Sequence, residues 1–159
     1  NIFISLFCMS INMKESMGMD TVKLLKECDA GCKMGVKSID DVLERVEASD
    51  LKKLLQESKD HHEMLGNEIH SLLISHDSEE KEPNPMAKGM SYLKTNMKMT
   101  MDASDNTIAD LITDGCNMGI KSLYRYLNQY KDADEKSKDI CKKLISIEDA
   151  LLKELRPYL

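Results

Sequence analysis

The strongest constraint on this chain is a stretch of nine residues that occurs twice. Residues 31–39 read GCKMGVKSI, and residues 115–123 read GCNMGIKSL. Six of the nine positions are identical, and two more exchange one aliphatic residue for another. The identical pairs are Gly31/Gly115, Cys32/Cys116, Met34/Met118, Gly35/Gly119, Lys37/Lys121 and Ser38/Ser122. A match of this kind predicts an internal duplication, so both halves of the chain should share one architecture.

The composition favours helices. The chain has 159 residues, of which 42% are apolar and only 4% aromatic, and it contains no Trp, 7 Gly and 3 Pro. This is enough apolar material for one domain with a core, and the scarcity of aromatic residues and of Gly and Pro is typical of a helical bundle rather than a sheet protein.

Apolar residues recur every three or four positions, which predicts two long helices in the first half. A polar break at 48–50 separates them, and so short a break makes two helices antiparallel neighbours. The first inward face contains Leu25, Cys28, Cys32, Val36, Ile39, Leu43 and Val46, and the second contains Leu51, Leu54, Ser58, His61, Leu65, Ile69 and Leu72. Residues 20–75 are therefore predicted to form a helical hairpin.

The second half repeats this pattern after a long connection. Residues 76–85 are charged and contain proline, which predicts a linker, and residues 86–101 predict a short helix with a Met-rich inner face. Residues 104–157 then form a second hairpin, whose first helix is offset by 84 from its counterpart and whose second is offset by 86. Two hairpins joined by a crossover at 76–103 predict an all-α, ferritin-like four-helix bundle over residues 20–157.

The first 19 residues stand apart from this pattern. They contain a short apolar run without a basic region before it or a small-residue cleavage site after it, which argues against a signal peptide. The run is also too short and too interrupted to span a bilayer. We therefore expect residues 1–19 to be a disordered or non-native extension outside the bundle.

Charge and cysteine content limit the partners. A net charge of -6 argues against nucleic acid and anionic membranes, because both attract clustered Lys and Arg. Five cysteines without CxxC pairs do not predict a disulfide framework, and they favour a reducing compartment such as the cytoplasm.

The paired hairpins, the short crossover helix and the Gly-x-x-x-Gly segment of each half resemble the DUF2383 family of bacterial ferritin-like bundles of unknown function. The resemblance covers roughly residues 20–157 and implies a bacterial source and side-by-side dimers. Classical members of the wider superfamily hold two irons with a Glu on the first helix and a Glu-x-x-His on the second helix of each half. Here Cys32 and Cys116 stand where those first-helix glutamates would be, and Glu-x-x-His is absent, so we do not expect a di-iron site or another cofactor.

The two duplicated cysteines, with His61, are the candidate metal ligands. Cys32 and Cys116 are expected to meet in the middle of the bundle, where thiolates and an imidazole would suit Zn(II) or Cu(I). The alternative is that each Cys is a small buried hydrophobe that lets helices approach closely, and that His61 is a hydrogen-bonded core residue. A Met-rich run that contains Met97, Met99 and Met101 is better explained as core filling than as a copper site, because alternate residues of a helix diverge.

These patterns predict a non-catalytic cytosolic bundle that acts as a scaffold through self-association or a protein partner. The alternative is a copper- or zinc-binding protein that uses Cys32, Cys116 and His61, and a di-metal oxidoreductase with unusual ligands ranks third. No phosphate loop, nucleophile elbow or HExxH motif is present to indicate an enzyme.

Overall fold

The structure, a computed structural model, describes residues 2–76 and 104–159, and every regular element in those ranges is helical. The α-helices are α1 (Ile2–Leu43), α2 (Ser49–Ser75), α3 (Asp105–Gln129) and α4 (Glu135–Leu155), and a 3₁₀ turn, Arg156–Tyr158, follows α4. The predicted all-α fold is thus confirmed at the level of a helical bundle. The predicted crossover helix and its methionines lie outside the described residues.

The first helix begins much earlier than the sequence pattern predicted. Residues 2–19, expected to be disordered, continue α1 without a break, and its 42 residues make it the longest helix described. At 1.5 Å per residue, α1 is about 63 Å long, whereas the 27 residues of α2 give about 40 Å. The sequence pattern did not predict a helix here because it was searched for an apolar face against a core, and this segment is apolar on several faces. That residues 1–19 are an extension outside the bundle stays a prediction. None of the helices described combines the length and hydropathy needed to cross a bilayer.

The four helices pack as two hairpins that face each other. α1 packs along α2, and α3 packs along α4; between the hairpins, α1 contacts both α3 and α4, and α2 contacts α4. Each hairpin turn is short, as predicted, with five residues between α1 and α2 and five between α3 and α4.

The buried apolar side chains form two separate clusters along the bundle. Each cluster contains residues from all four helices. The first is built around Leu24, Leu25, Leu65, Ile69, Leu123 and Leu144. The second is built around Ile39, Val42, Leu55, Ile108, Ile112 and Leu151. No hairpin therefore has a core of its own, because both clusters need side chains from both hairpins.

Each hairpin also accepts hydrogen bonds from the turn of the other hairpin. The side chain of Asp105, at the start of α3, accepts hydrogen bonds from the backbone N–H groups of Glu47 and Ala48 at 2.8 Å each. In the opposite direction, Thr21 Oγ1 on α1 accepts from the N–H of Asp134 at 2.8 Å, in the turn between α3 and α4. These bonds satisfy N–H groups that have no partner inside their own helices.

We expect Asp105→Ala to lower the free energy of unfolding by about 1–2 kcal/mol, since it removes the acceptor of two turn N–H groups. Asp110→Ala, an exposed change one turn further along α3, is the control. Urea denaturation of both variants measures the difference. Equal, small losses for both would show that the Asp105 bonds contribute little.

Candidate functional sites: a polar core layer and an exposed apolar segment

A polar layer separates the two apolar clusters. Along each helix, a few residues lie between the part that belongs to the first cluster and the part that belongs to the second. These residues are Gly35 on α1, Ser58 and His62 on α2, Gly119 on α3 and Glu148 on α4. We call these five residues the polar layer. His62 is 2% exposed and Glu148 is 5% exposed, so an imidazole and a carboxyl group are held in the interior.

The His62 ring lies directly against the backbone of α1. A Cβ atom at Gly35 would come within 2.5 Å of Cδ2 and 2.7 Å of Nε2 of His62, which is closer than real Cβ contacts allow. Glycine at position 35 is therefore required by the ring and not by the backbone conformation of α1.

The second half of the chain makes the corresponding contact with a carboxyl group. A Cβ atom at Gly119 would come within 2.9 Å of Oε1 of Glu148 and would also clash with Oε2. Gly35 and Gly119 are the second glycines of the repeated segment, and His62 and Glu148 are 86 residues apart, the offset between the second helices of the two hairpins. Each repeated glycine thus makes room for one polar side chain.

His62 and Glu148 face each other across the layer. Nε2 of His62 lies 3.9 Å from Oε1 of Glu148, which is too far for a direct hydrogen bond. The other ring nitrogen, Nδ1, lies 2.7 Å from the carbonyl oxygen of Ser58. Because a carbonyl can only accept, Nδ1 carries a hydrogen and donates it, and this bond fixes the orientation of the ring with Nε2 towards Glu148.

Glu148 has few hydrogen-bond partners for a buried carboxyl group. Burial raises its pKa, and the neighbouring His62 ring opposes that rise. Oε2 of Glu148 and Oγ of Ser58 find no hydrogen-bond partner among residues 2–76 and 104–159. Buried polar atoms normally have a partner, so these two mark a place where one more group can be accommodated.

The structure does not bring Cys32 and Cys116 together as predicted. Both are buried, but Cys32 belongs to the first apolar cluster and Cys116 to the second, on opposite sides of the polar layer. Burial raises the pKa of both thiols, with a further rise from the negative charge of Asp29 and Glu148 at Cys32 and from Glu148 at Cys116. Both cysteines are protonated, apolar-like core residues in this environment.

Two other cysteines also lie in the core. Cys141 Sγ lies 3.7 Å from the carbonyl oxygen of Leu123, and contact with Cys141, together with burial, raises the pKa of Cys28. All five cysteines are free thiols, and only Cys8 is exposed.

The prediction that His61 faces the core is wrong, because the residue that faces the core is the next one, His62. His61 is exposed and lines a separate surface depression of about 270 Å³ with Ser58, Ile147 and Glu154, whereas its neighbour His62 enters the core. On α4 the inward-facing residue is likewise one position later than predicted: Glu148 is buried in the core, where Ile147 was expected. Cys32, Cys116 and His61 are therefore not brought to one place.

A groove between α1 and α2 leads from solvent to the edge of the polar layer. It has a volume of about 610 Å³ and is lined mostly by polar residues, among them Asp29, Cys32, Lys33, His62, Glu63 and His70. Cys32 and His62 therefore border the same water-accessible space. Gly66 also lines the groove, and a Cβ atom added there would lie 3.6 Å from the Cβ of Cys32, an ordinary van der Waals contact.

The described residues do not form a metal site in their observed positions. Within residues 2–76 and 104–159, no group of three or more His, Cys, Asp or Glu side chains is arranged to hold a metal ion as it stands. A di-iron carboxylate centre needs four carboxylates in the middle of the bundle, and the polar layer supplies one, Glu148. The donor set does not fit that centre.

The second candidate site is the beginning of α1. Ile4, Leu6, Met9, Ile11, Met13, Met17 and Met19 are each between 41% and 65% exposed. Near the end of this stretch, the hydroxyl group of Ser16 donates a hydrogen bond to Asp132 at 2.9 Å. We call residues 2–19 the apolar segment. A helix with so many exposed apolar side chains is normally covered by another structure.

The fold defines the chain as an all-helical four-helix-bundle protein. Comparison with protein-family models, with curated proteins and with solved structures found no match in any of the three.

Sequence reasoning missed His62 and Glu148, although one signal pointed to them. When the second hairpin is aligned on the first with an offset of 86, His62 corresponds to Glu148, so the alignment pairs two polar residues. The adjacent pair His61/Ile147 was preferred because Ile147 looked like a core residue. Ile147 is instead partly buried at the rim of the first cluster.

The surroundings of Gly115 and Gly119 predict opposite effects from the same substitution. Gly119→Ala should destabilise the protein by about 1–3 kcal/mol, because the new methyl group collides with Glu148. Gly115→Ala, one turn earlier on the same helix, meets nothing within 4 Å and should stabilise by about 0.5–1 kcal/mol. Chemical denaturation measures both, and a stabilising Gly119→Ala would contradict the position of Glu148.

The burial of four cysteines predicts slow alkylation. Cys28, Cys116 and Cys141 should react with iodoacetamide only as fast as the protein unfolds, because they are buried, and Cys32, which borders the groove but is 2% exposed, should react more slowly than Cys8. All five should react at once in denaturant. Peptide mass spectrometry measures the rate at each position, and fast native labelling of Cys32 or Cys116 would show that the core opens locally around the polar layer.

Proposed function

We propose that this protein is a non-catalytic cytoplasmic scaffold of the ferritin-like kind, built from two related hairpins, that works by self-association. The observation that carries the proposal is the exposed apolar segment at the start of α1. The partner we propose for it is the same segment of a second copy of the chain.

The distribution of side chains around the segment supports coverage on more than one side. Residues seven apart lie almost on one line of a helix, so Ile4 and Ile11 share a face, and Leu6 and Met13 share another. These two faces are about 200° apart, because residues 4 and 6 are separated by two steps of 100°. One partner helix from a second copy covers one of these faces, and an assembly of more than two copies would cover both.

Charge also favours a second copy as the partner. The chain carries a net charge of -6, which opposes close approach of two copies elsewhere on the surface. Between residues 2 and 13 there is no charged side chain, and Lys14 and Glu15 that follow have opposite signs. Two copies can therefore meet along this segment without like-charge repulsion, and the same patch is self-complementary in a two-fold dimer.

The four-helix body then serves as a rigid base that presents the segment. Its two apolar clusters draw on all four helices, so the direction in which α1 leaves the body is fixed by packing on α2, α3 and α4. A scaffold needs such a fixed direction, because a partner surface on a continuous helix is ordered before binding and loses little conformational entropy.

Sedimentation equilibrium of the full chain tests the proposal. We expect the wild-type protein to sediment as a dimer or larger assembly of 18.1 kDa chains and to dissociate on dilution. Leu6→Glu with Met13→Glu, which places two charges on one face of the segment, should give a monomer.

The control places the same two charges on exposed residues of the body. Met64 is 69% exposed on α2 and Tyr124 is 54% exposed on α3, and Met64→Glu with Tyr124→Glu should leave the mass of the assembly unchanged. A wild-type protein that stays monomeric over the whole concentration series, or a control variant that dissociates equally, would refute self-association through this segment.

A further inference from the structure

The facing atoms of His62 and Glu148 need one hydrogen between them. Nδ1 of His62 donates to the carbonyl of Ser58, so a neutral ring presents a lone pair at Nε2. Oε1 of an ionised Glu148, 3.9 Å away, is also an acceptor. A single proton on either side turns two facing acceptors into a donor and an acceptor.

We propose that the His62–Glu148 pair is a proton-binding site, which holds one proton in the folded protein and makes the stability of the bundle fall as the pH rises through neutrality. The proton belongs to the pair, as an imidazolium facing a carboxylate or as a neutral ring facing a carboxylic acid. Both forms have no net charge. Loss of the proton leaves a buried carboxylate, and a second proton leaves a buried imidazolium.

Burial selects the form with one proton. His62 is 2% exposed and Glu148 is 5% exposed, and an uncompensated charge in such a place costs far more than a pair without net charge. Burial raises the pKa of Glu148, which is the direction expected of a group that retains a proton, and His62 opposes that rise. Each side chain packs against Gly35 or Gly119, so turning either one out to solvent would leave a hole beside that glycine.

The groove between α1 and α2 gives the proton its route. Of the two residues of the pair, His62 lines the groove, so a proton from solvent reaches the imidazole first. Asp29 and Lys33, which also line it, form an ion pair at 2.9 Å. The other titratable side chains that share the groove with His62 are Cys32 on α1 and Glu63 and His70 on α2.

The titratable groups that approach Glu148 from the other side of the pair are thiols. Cys32 on α1 and Cys116 on α3 both feel its negative charge, and burial raises the pKa of each thiol further. Both thiols therefore stay protonated near neutral pH, and neither adds a charge that would compensate Glu148.

The direction of the pH dependence follows from the protons held by the folded and the unfolded chain. In the unfolded chain, histidine has a pKa of about 6.5 and glutamate a pKa of about 4.3. Between these values both states hold one proton on the two residues, so stability is level. Above about pH 6.5 the unfolded chain gives up its proton while the folded pair retains it, and each pH unit lowers the folding equilibrium constant by up to about tenfold. The fall ends where the folded pair itself loses the proton.

The test is urea denaturation of the full chain from about pH 5 to about pH 8 at one chain concentration. For the wild type we expect a level folding constant up to about pH 6.5 and a fall above it. Glu148→Gln replaces the acid with an amide of the same shape, whose N–H donates to Nε2, so its folded state needs no added proton. Its folding constant should instead rise up to about pH 6.5, where unfolded histidine loses its proton, and then stay level.

His62→Gln should move the fall to lower pH. It leaves Glu148 as the one ionisable group of the polar layer, and the folded chain keeps this carboxyl group protonated, whereas the unfolded chain ionises it above about pH 4.3. The folding constant should therefore fall over the whole range from about pH 5, and not only above about pH 6.5.

Two matched controls make the same replacements at exposed positions. His61→Gln and Glu154→Gln lie beside the layer on α2 and α4, and both should follow the wild-type profile. Circular dichroism establishes that each variant is folded. The Leu6→Glu/Met13→Glu variant should also follow the wild-type profile, whatever its state of assembly, so this proposal and self-association succeed or fail separately.

NMR of the wild type counts the protons directly. The ¹⁵N shift of Nε2 and the ¹³C shift of the Glu148 carboxyl carbon report whether each group carries a proton. At about pH 6 we expect one proton in total, on one of the two groups or in exchange between them. Signals showing both groups or neither group protonated would overturn the proposal, as would a wild-type folding constant that does not fall relative to Glu148→Gln above about pH 6.5.

Discussion

The His62–Glu148 pair is the interaction on which the arrangement of the four helices depends. Each of the two side chains occupies space that the facing helix leaves empty only because it has a glycine there, Gly35 or Gly119. If α1 or α3 slid by one turn so that Ile39 or Leu123 replaced its glycine, the imidazole or the carboxyl group would meet a larger side chain and a buried polar group would lose its place. A buried polar layer of this kind favours one register among several that purely apolar clusters would accept, as single polar residues do in coiled coils.

The layer also explains why glycines recur in the repeated segment. The repeated segment contains both cysteines and glycines at matching positions. In the folded chain, the repeated residues that contact the partner helix most closely are Gly35 and Gly119, while Cys32 and Cys116 lie one turn earlier in separate apolar clusters. The residues that the two glycines accommodate, His62 and Glu148, differ between the halves, so the two repeated segments share a space and not a ligand.

The sequence predicted the helical bundle, both hairpin turns and the burial of Cys28, Cys32 and Cys116, because apolar spacing and short polar breaks are local signals. It did not predict which of two adjacent residues faces inward on α2 and α4. The doublets Leu54–Leu55 and Leu72–Leu73 allow the inward face to be drawn through either member, and the choice moves His61 or His62 into the core. Glu148 was missed because an isolated carboxylate normally indicates a solvent-facing position, and only the tertiary contact with Gly119 and His62 shows otherwise.

The division of the core into two clusters that each draw on all four helices has a consequence for how the chain reaches its native state. A hairpin made of residues 20–75 or of residues 104–157, taken alone, has an apolar face with no second apolar surface to pack against. Both clusters and the polar layer form only when the halves meet, and 27 residues of chain lie between the ends of the described ranges. Bringing the two hairpins together costs entropy before any core contact between them repays it, so docking of the hairpins is the step at which cooperative folding begins. Two separately expressed halves should accordingly behave as complementary fragments, each incomplete alone and ordered by the other.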